Sequence, residues 1–189
     1  NNETMHPLQA LNSIVENGKT KAIAAPMPCP SARADSTYLV VNMMRSVINE
    51  GTGAAARSQG FTLDAAGKSG TTNDLRDAWF IGFTPELLTA VWVGFDNNQP
   101  IGLSGGQAAL PIWTSFMKRA LAGRPSKSFA VPDGVTFADI DKATGQLATP
   151  NCPVVIHEAF LAGSEPTEHC ELHPESGIKG FFQNLFGRE

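Results

Sequence analysis

A short string near the middle of the chain combines a lysine with hydroxyl side chains and glycines. Residues 66–72 read AGKSGTT and lie between a predicted helix and a predicted strand. Two kinds of site use such a string. One is a loop whose backbone amides bind phosphate; the other is an acyl-transfer site, in which a cation, hydroxyl donors and a backbone N–H stabilise an anionic transition state.

The phosphate-loop pattern G-x-x-x-x-G-K-[ST] fails at its first glycine. If Gly67 is the second glycine, the first should fall at position 62, which is Thr62. The residues after Ser69 are also typical of a strand, whereas a phosphate loop leads into a helix. The string therefore does not predict a nucleotide site.

A K-[ST]-G triplet on a strand fits the acyl-transfer alternative. Lys68 would supply the cation, and the hydroxyls of Ser69 and Thr71 would bind a substrate carboxylate. Side chains alternate along a strand, so Ser69 and Thr71 share one face while Lys68 points to the other. Gly70 lets a ligand approach the backbone. Alone, the triplet also fits a solvent-exposed turn. The neighbouring elements must therefore decide between a turn and an acyl-transfer site.

A hairpin and a helix are predicted before the triplet. Residues 8–27 form two short strands around the Asn17-Gly18 turn, and the prolines of 26–30 end them. Between Asp35 and Glu50 apolar residues recur every three to four positions. This spacing predicts a helix capped by Asp35 or Ser36 and stopped by Gly51.

A second hairpin and a second helix are predicted after it. Residues 79–95 are aromatic and β-branched on both strand faces and are interrupted at 84–86. An amphipathic helix follows, with Pro111 near its start and Gly123 at its end. We therefore predict an α/β (α+β) fold, an antiparallel sheet covered by helices on both faces, over residues 1–123. Residues 124–189 are predicted to be an extended appendage with one strand, Val135 to Ile140.

Composition excludes several classes of function. Hydrophobic residues make up 42% and charged residues 17%, which is typical of a globular chain. Fourteen basic residues against 18 acidic ones give a net charge of -4, so nucleic acid is not an expected partner. No apolar run reaches the roughly 18 residues that a membrane-spanning helix needs.

The residues around the triplet carry a longer signature. Residues 68–85 read KSGTTNDLRDAWFIGFTP and are followed by AVWVGFD at 90–96, with VINEGTGAA upstream at 47–55 and GGQAALPIW, TGQLATP and AGSEPTE downstream at 105–113, 144–150 and 162–168. From about Tyr38 to Leu172 the chain resembles the transpeptidase domain of class A penicillin-binding proteins, the bifunctional peptidoglycan synthases. Ser69 stands where these enzymes often have threonine, and the hydroxyl is retained.

The resemblance implies a fold of the penicillin-binding transpeptidase and serine β-lactamase type, and a site that works without a cofactor. Such enzymes cross-link the D-alanyl-D-alanine stem peptides of peptidoglycan through a serine acyl-enzyme and are acylated by β-lactams. Lys68 and Thr71 are implied as catalytic residues, and Ser69, Gly70, Thr71 and Thr72 as substrate-binding residues. The implied location is periplasmic, with a membrane anchor in an N-terminal helix outside this chain.

The nucleophile of the family is not found before the triplet. Family members carry S-x-x-K and S-x-N there, whereas this chain has no S-x-N, and its S-x-x-K strings, Ser115 to Lys118 and Ser176 to Lys179, follow the triplet. We therefore expect one wall of a site that an upstream portion of the same synthase completes, and no activity from this chain alone. A D,D-carboxypeptidase or β-lactamase relative and a non-catalytic peptide- or partner-binding module remain alternatives.

The cysteines allow two interpretations. Cys152 and Cys170, with His157, His169 and His173 nearby in sequence, suggest zinc, but no C-x-x-C pair is present. The family resemblance implies an oxidising compartment, where disulfides persist. We therefore predict a disulfide between Cys152 and Cys170 and no metal. Cys29 is expected to be either free and buried or paired outside this chain.

Overall fold

The computed structural model of the protein describes residues 4–174 except positions 6, 8 and 31. Its residues divide into two compact units, one running from Leu39 to Val131 and the other combining the chain up to Tyr38 with the chain from Pro132 onward. The predicted division after Gly123 stays a prediction. No helix in the described part of the chain has the length and apolar character needed to span a membrane.

The N-terminal segment contains two small antiparallel pairs. Strand β1 (Thr4–Met5) pairs with β4 (Cys29–Pro30), and β2 (Ser13–Glu16) pairs with β3 (Lys19–Ala22). The β2–β3 turn uses Asn17 at φ 50° and Gly18 at φ 72°, the left-handed conformations that a tight hairpin requires. The predicted hairpin is confirmed.

Helix α1 (Ala34–Asn49) follows, and the predicted cap is wrong. The helix begins at Ala34, so Asp35 and Ser36 lie inside its first turn. The Asp35 carboxylate accepts the Ser36 N–H at 2.6 Å and pairs with the Arg33 guanidinium. An acidic group in the first turn stabilises the helix through its dipole, as a cap would. The one-turn helix α2 (Ala55–Ser58) comes next.

A three-stranded antiparallel sheet carries the K-S-G string. Strand β5 (Ala66–Thr71) lies at one edge, β6 (Asp77–Phe83) in the middle and β7 (Leu88–Gly94) at the other edge. The register pairs Ser69 with Phe80 and Thr71 with Ala78. The hairpin predicted over 79–95 is therefore confirmed, and the string lies on a strand as expected.

Helix α3 (Gly105–Ala120) packs against this sheet and begins well before the predicted start near Pro111. The Gln107 side-chain oxygen accepts the N–H and hydroxyl of Ser104, which fixes the first turn. Trp113 is fully buried and contacts the rings of Phe61 and Phe80 edge-on, with centroids 5.1 and 5.2 Å away. The other large buried side chains of this core are Leu110 and Met117 of α3 and Ile48 of α1.

The two faces of the sheet differ. Ala78, Phe80 and Gly82 of β6 are buried on the α3 side, whereas Trp79 and Ile81 on the opposite face are each 40% exposed. The expectation that helices cover both faces is therefore wrong for the described residues. The fold class itself, antiparallel sheets combined with helices, is confirmed.

The C-terminal segment forms a second hairpin. Strand β8 (Val135–Asp141) pairs antiparallel with β9 (Val155–Leu161), a strand that the sequence did not predict. Between the two strands the chain returns to β8, where Leu147 bridges Ile140 on one side and His169 on the other. The segment is therefore more regular than the predicted appendage.

Candidate active site

The K-S-G string occupies the edge strand of the sheet. Within the described residues β5 pairs with β6 alone, so its other edge carries no strand. Lys68 and Thr71 are exposed, and Ser69 and Gly70 are half-buried. The string is thus accessible from the side where a ligand could add to the sheet.

Backbone hydrogen bonding decides which way the polar groups of β5 point. Just beyond the strand, the Thr72 N–H donates to the Asp77 carbonyl at 3.1 Å. Hydrogen-bonded pairs alternate with non-bonded pairs in an antiparallel ladder. Gly70 is therefore bonded to β6, and the N–H groups of Ser69 and Thr71 point away from β6 towards the open edge.

The Ser69 hydroxyl contacts the loop that follows α1. Its Oγ lies 2.9 Å from Oγ1 of Thr52, and either atom can donate. This bond sets the rotamer of Ser69 and brings a second hydroxyl beside the first. Sequence reasoning did not single out Thr52 as a site residue, because nothing in the spacing links it to the triplet.

The Thr71 hydroxyl contacts the N-terminus of α3. The Gly105 N–H donates to Oγ1 of Thr71 at 3.0 Å, which leaves the hydroxyl proton available for a ligand. A helix N-terminus carries a partial positive charge and favours nearby anions. The hydroxyl and the helix end together form a corner suited to a carboxylate.

Close packing requires a glycine at the start of α3. A Cβ added to Gly105 would lie 2.3 Å from the Trp79 carbonyl oxygen and 2.6 Å from that of Gly70. No side chain fits at these distances. The glycine is what allows the helix amide to reach Thr71, a role that no sequence pattern predicts.

Lys68 lies on the half-exposed face of the sheet, opposite Ile81. Its Nζ donates to the Ser69 carbonyl oxygen at 2.9 Å, so the side chain curls back along its own strand. The prediction that Lys68 and Ser69 point to opposite faces agrees with this register. The lysine stem has the length and freedom to turn towards the edge when a partner is present.

Thr72 closes the end of the strand. Its Oγ1 accepts the Asp77 N–H at 2.8 Å and lies 3.2 Å from Asp77 Oδ2. The other carboxylate oxygen of Asp77 accepts the Trp92 indole N–H at 2.9 Å. Thr72 therefore fixes the strand end, and its hydroxyl is committed to Asp77.

The S-x-x-K string Ser115 to Lys118 lies on α3 and not at this edge. Ser115 and Lys118 are exposed on α3, where they line an open cavity of about 310 Å³ with Gln59. The Lys118 Nζ donates to the Gln59 carbonyl at 2.7 Å. Ser176 and Lys179 lie outside the described residues.

The cysteines predicted to form a disulfide come together with two other side chains. Cys152 and Cys170 are free thiols, and their Sγ atoms share a cluster with Asp141 and His173 in which all four ligand atoms lie within 4.8 Å of one another. The disulfide stays a prediction. Cys29 is also free, and it is exposed rather than buried.

Ionisation in this cluster follows from burial and hydrogen bonding. Burial opposes the charge on Asp141, but hydrogen bonds, chiefly from Thr144, outweigh it and hold the pKa of the carboxyl below its usual value. Burial raises the pKa of the Cys152 thiol. The pKa of the Cys170 thiol is lowered despite its burial, because Thr144 and His173 hydrogen-bond to the sulfur.

Comparison with known proteins now identifies the family. Residues 1–118 match the family model described as the penicillin binding protein transpeptidase domain, and residues 131–175 match that of the penicillin-binding protein 1A C-terminal domain. The chain belongs to the penicillin-binding protein transpeptidase family. The family resemblance predicted from the sequence is confirmed.

Individual relatives agree with this family assignment. The chain is 40% identical to penicillin-binding protein 1A of Pseudomonas aeruginosa over 154 residues, covering 79% of the chain and 19% of that protein. The chain is 45% identical to penicillin-binding protein 1A of Neisseria lactamica over 102 residues, which cover 53% of the chain and 13% of that protein. The crystal structure of penicillin-binding protein 1A from Haemophilus influenzae matches with a TM-score of 0.66 at 32% identity, and the match covers 79% of this chain and 23% of that one. The chain thus spans about a fifth or less of the length of these curated relatives.

Proposed function

We propose that this chain is part of a peptidoglycan D,D-transpeptidase and that β5 forms one wall of its serine acyl-transfer site. The observation that carries the proposal is the open edge of β5, where the Thr71 N–H points outward beside the hydroxyls of Ser69 and Thr71. An acyl donor that ends in a carboxylate needs this combination of an oxyanion donor and carboxylate-binding hydroxyls. Family membership supports the same reaction class.

The proposed reaction is a two-step acyl transfer. A serine in an upstream portion of the same synthase, in S-x-x-K, attacks the carbonyl carbon of the penultimate D-alanine of a stem peptide. The proton of the serine hydroxyl passes to the leaving nitrogen, the tetrahedral intermediate collapses, the C–N bond breaks, and the terminal D-alanine leaves with a free amine. The amine of a second stem peptide then attacks the ester, which forms the cross-link and returns the proton to the serine.

Each residue of β5 has a proposed role in this reaction. The Thr71 N–H donates to the oxyanion, and the hydroxyls of Ser69 and Thr71 bind the terminal carboxylate of the donor peptide. Lys68 turns from the Ser69 carbonyl towards the cleft, where its charge stabilises the anionic transition state. Gly70 leaves room for the substrate backbone, and Thr72 keeps the strand end in place.

β-Lactams are the proposed inhibitors because they mimic the same donor. Their ring carbonyl is attacked by the serine, the ring C–N bond opens, and the product stays attached as an ester. No cofactor takes part. The substrate, and hence the site, lies on the periplasmic side of the membrane, to which a helix in another part of the synthase anchors the protein.

Acylation by a fluorescent penicillin tests the division of the site between this chain and its upstream portion. The chain alone is expected to form no covalent adduct, because an unactivated hydroxyl is a weak nucleophile at neutral pH. The same chain preceded by its upstream portion should take up one label. Stoichiometric acylation of the isolated chain at Ser115, located by peptide mass, would contradict the proposal.

Lys68→Ala in the completed enzyme tests the role of the β5 wall. We expect acylation to slow by about two to three orders of magnitude, the size of effect seen when one preorganised transition-state contact is removed. Lys118→Ala is the matched control, since Lys118 is also an exposed lysine with a carbonyl partner but lies on α3. An unchanged rate in Lys68→Ala would show that the string is not part of the site.

The fate of the acyl group separates this proposal from its alternatives. A transpeptidase passes the acyl group to an added D-amino acid amine, whereas a carboxypeptidase or β-lactamase releases it to water. A non-catalytic module would bind a stem peptide without forming an ester. Comparing amide formation with hydrolysis, on one preparation of the completed enzyme, distinguishes the three.

A further inference from the structure

Four potential metal ligands converge in the C-terminal segment. They come from the end of β8 (Asp141), from the loop before β9 (Cys152) and from the segment after the Leu147 to His169 bridge (Cys170 and His173). Asp141 is 1% exposed and Cys170 is 2% exposed. A carboxylate and a thiol are thus buried side by side, away from the K-S-G string in sequence and independent of its proposed function.

Two of the separations between ligand atoms match a tetrahedral coordination sphere. The His173 Nδ1 lies 3.3 Å from Asp141 Oδ2 and 3.4 Å from Cys170 Sγ. Bond lengths of about 2.0–2.3 Å at tetrahedral angles place nitrogen and oxygen ligands about 3.4 Å apart, and nitrogen and sulfur ligands about 3.6 Å apart. The three groups therefore surround a space of the right size for one ion.

Neighbouring groups orient these ligands towards that space. The Oδ1 atom of Asp141 accepts the Ala143 N–H at 3.0 Å and the Thr144 N–H at 2.9 Å, which leaves Oδ2 facing His173. The Thr149 N–H donates to Cys152 Sγ at 3.2 Å. Hydrogen bonds of this kind, made by residues outside the coordination sphere, fix ligand geometry in metal sites.

We propose that Asp141, Cys152, Cys170 and His173 bind one zinc ion. Two thiolates, an imidazole and a carboxylate in tetrahedral array are a donor set that suits zinc. Binding releases one proton from each thiol, and two thiolates and a carboxylate around Zn²⁺ leave a net charge of -1. Four protein ligands close the coordination sphere, so the ion is structural and joins the end of β8 to the segment that contains Cys170.

Zinc and the predicted disulfide use the same two sulfurs. A disulfide would join Cys152 to Cys170 and require nothing of the other two residues. A carboxylate oxygen of Asp141 and a ring nitrogen of His173 lie within 4.8 Å of both sulfurs, where an ion between the four atoms would use them as ligands. The position of these two side chains is what favours the metal.

The first test measures metal binding by the complete chain. Protein purified without chelators and under reducing conditions should bind about one equivalent of zinc. Replacement by cobalt should give a thiolate-to-cobalt charge-transfer band together with the visible bands of a tetrahedral ion. Cys29→Ser is the control, because Cys29 lies outside the cluster, and its zinc content and cobalt spectrum should match those of the unchanged chain.

Ligand variants test the assignment of each group. Cys170→Ser and His173→Ala should weaken zinc binding by more than about 100-fold. Thr149→Val keeps the backbone N–H but removes the hydroxyl that lies 3.5 Å from Cys152 Sγ, and it should weaken zinc binding by about 10–100-fold, as loss of a supporting hydrogen bond does. His157→Ala should have no effect, since His157 pairs with Asp139 and not with the cluster. Full zinc affinity in His173→Ala would overturn the assignment.

Differential alkylation of the unchanged chain keeps the proposal testable if a ligand variant fails to fold. With zinc present, Cys29 should be labelled while Cys152 and Cys170 are protected; a chelator should expose both. Three labelled thiols in the presence of zinc would overturn the proposal. So would a protein, prepared without added reductant, that binds no zinc and yields a Cys152 to Cys170 disulfide in peptide mapping.

Discussion

The sheet that carries the K-S-G string and the segment that carries the cysteine cluster are held together by different means. Between α1 and α3, the largest fully buried side chains are apolar except for Thr114, and they include Trp113, Phe61 and Phe80. In the described chain from Pro132 onward, the buried apolar residues are Ile140 and Cys170, and they lie beside the buried polar residues Asp141 and Thr149. One region has an apolar core, and the other has a polar centre.

This difference explains where each region can place its polar side chains. An apolar core stabilises the sheet on one face and leaves the hydroxyls and amides of the β5 edge free for a ligand. The C-terminal hairpin has few buried apolar residues, and small domains with little apolar core commonly use disulfides or metals for stability. We therefore expect its buried polar side chains to contribute to stability.

Trp113→Ala should have the largest effect on stability. The substitution removes a fully buried side chain, and losses of this kind cost about 3–5 kcal/mol. Chemical denaturation measures the loss, and Phe116→Ala on the same helix is the control, since Phe116 is 42% exposed. Equal losses in the two variants would show that the sheet does not depend on its core as described.

Zinc should stabilise the C-terminal hairpin and leave the sheet unchanged. A ligand at 1,000 times its dissociation constant adds about 4 kcal/mol to the stability of the structure that binds it. Hydrogen exchange should therefore slow at the amides of β8 and β9 when zinc is added, but not at those of β5 to β7. Equal slowing in both regions would mean that they open together, which would remove the distinction between them.

Substitutions at Thr71 should separate chemistry at the β5 edge from stability. Thr71→Val removes the hydroxyl proposed to bind the substrate carboxylate, and loss of a hydrogen bond to a charged group costs about 1.5–3 kcal/mol, or roughly 10- to 150-fold in the acylation rate of the completed enzyme. Thr71→Ser keeps both the hydroxyl and the backbone N–H, so it should reduce the acylation rate only slightly. If Thr71→Val acylates at the normal rate, the hydroxyl does not bind the carboxylate.

Acid should produce the smallest effect, at the start of α1. The Arg33 hydrogen bond lowers the pKa of Asp35 from 3.8 to about 2, against the opposing effect of burial. The stabilising contribution of the ionised carboxylate is complete above about pH 4 and is lost as the pH falls towards 2. Arg33 is 77% exposed, so the contribution is small.

Unfolding midpoints between pH 5 and pH 2 test this last prediction. Asp35→Asn should show a flatter pH dependence than the unchanged chain. Glu50→Gln, at the other end of the helix, should keep the original slope. A parallel decline in all three proteins would exclude Asp35 as the cause.

Local patterns were enough to predict several elements of the fold. The Asn17-Gly18 turn, the apolar spacing of α1 and the break at 84–86 each depend on residues close together in sequence. The start of α3 was missed because its first turn is rich in glycine and alanine, which weakens the helical pattern. Strand β9 was missed because its half-buried residues do not alternate cleanly.

The partners in the candidate sites could not be predicted in the same way. The triplet predicted Lys68, Ser69 and Thr71, but contact with Thr52 and Gly105 depends on how the chain folds back. In the cysteine cluster, the search for C-x-x-C overlooked the C-x-x-H pair of Cys170 and His173. Asp141 carried no sequence signal, since burial distinguishes it from other acidic residues only in the folded chain.

The contact at Gly105 also limits which sequences a mutating population can explore. Any other residue brings a Cβ within 2.3 Å of a backbone carbonyl, and neither that carbonyl nor the helix can move without displacing Thr71. A library randomised at this codon and selected for cross-linking activity should return glycine alone. If β5 lines the proposed site, antibiotic selection should find variants among the side chains of the β5 edge but no single substitution at Gly105.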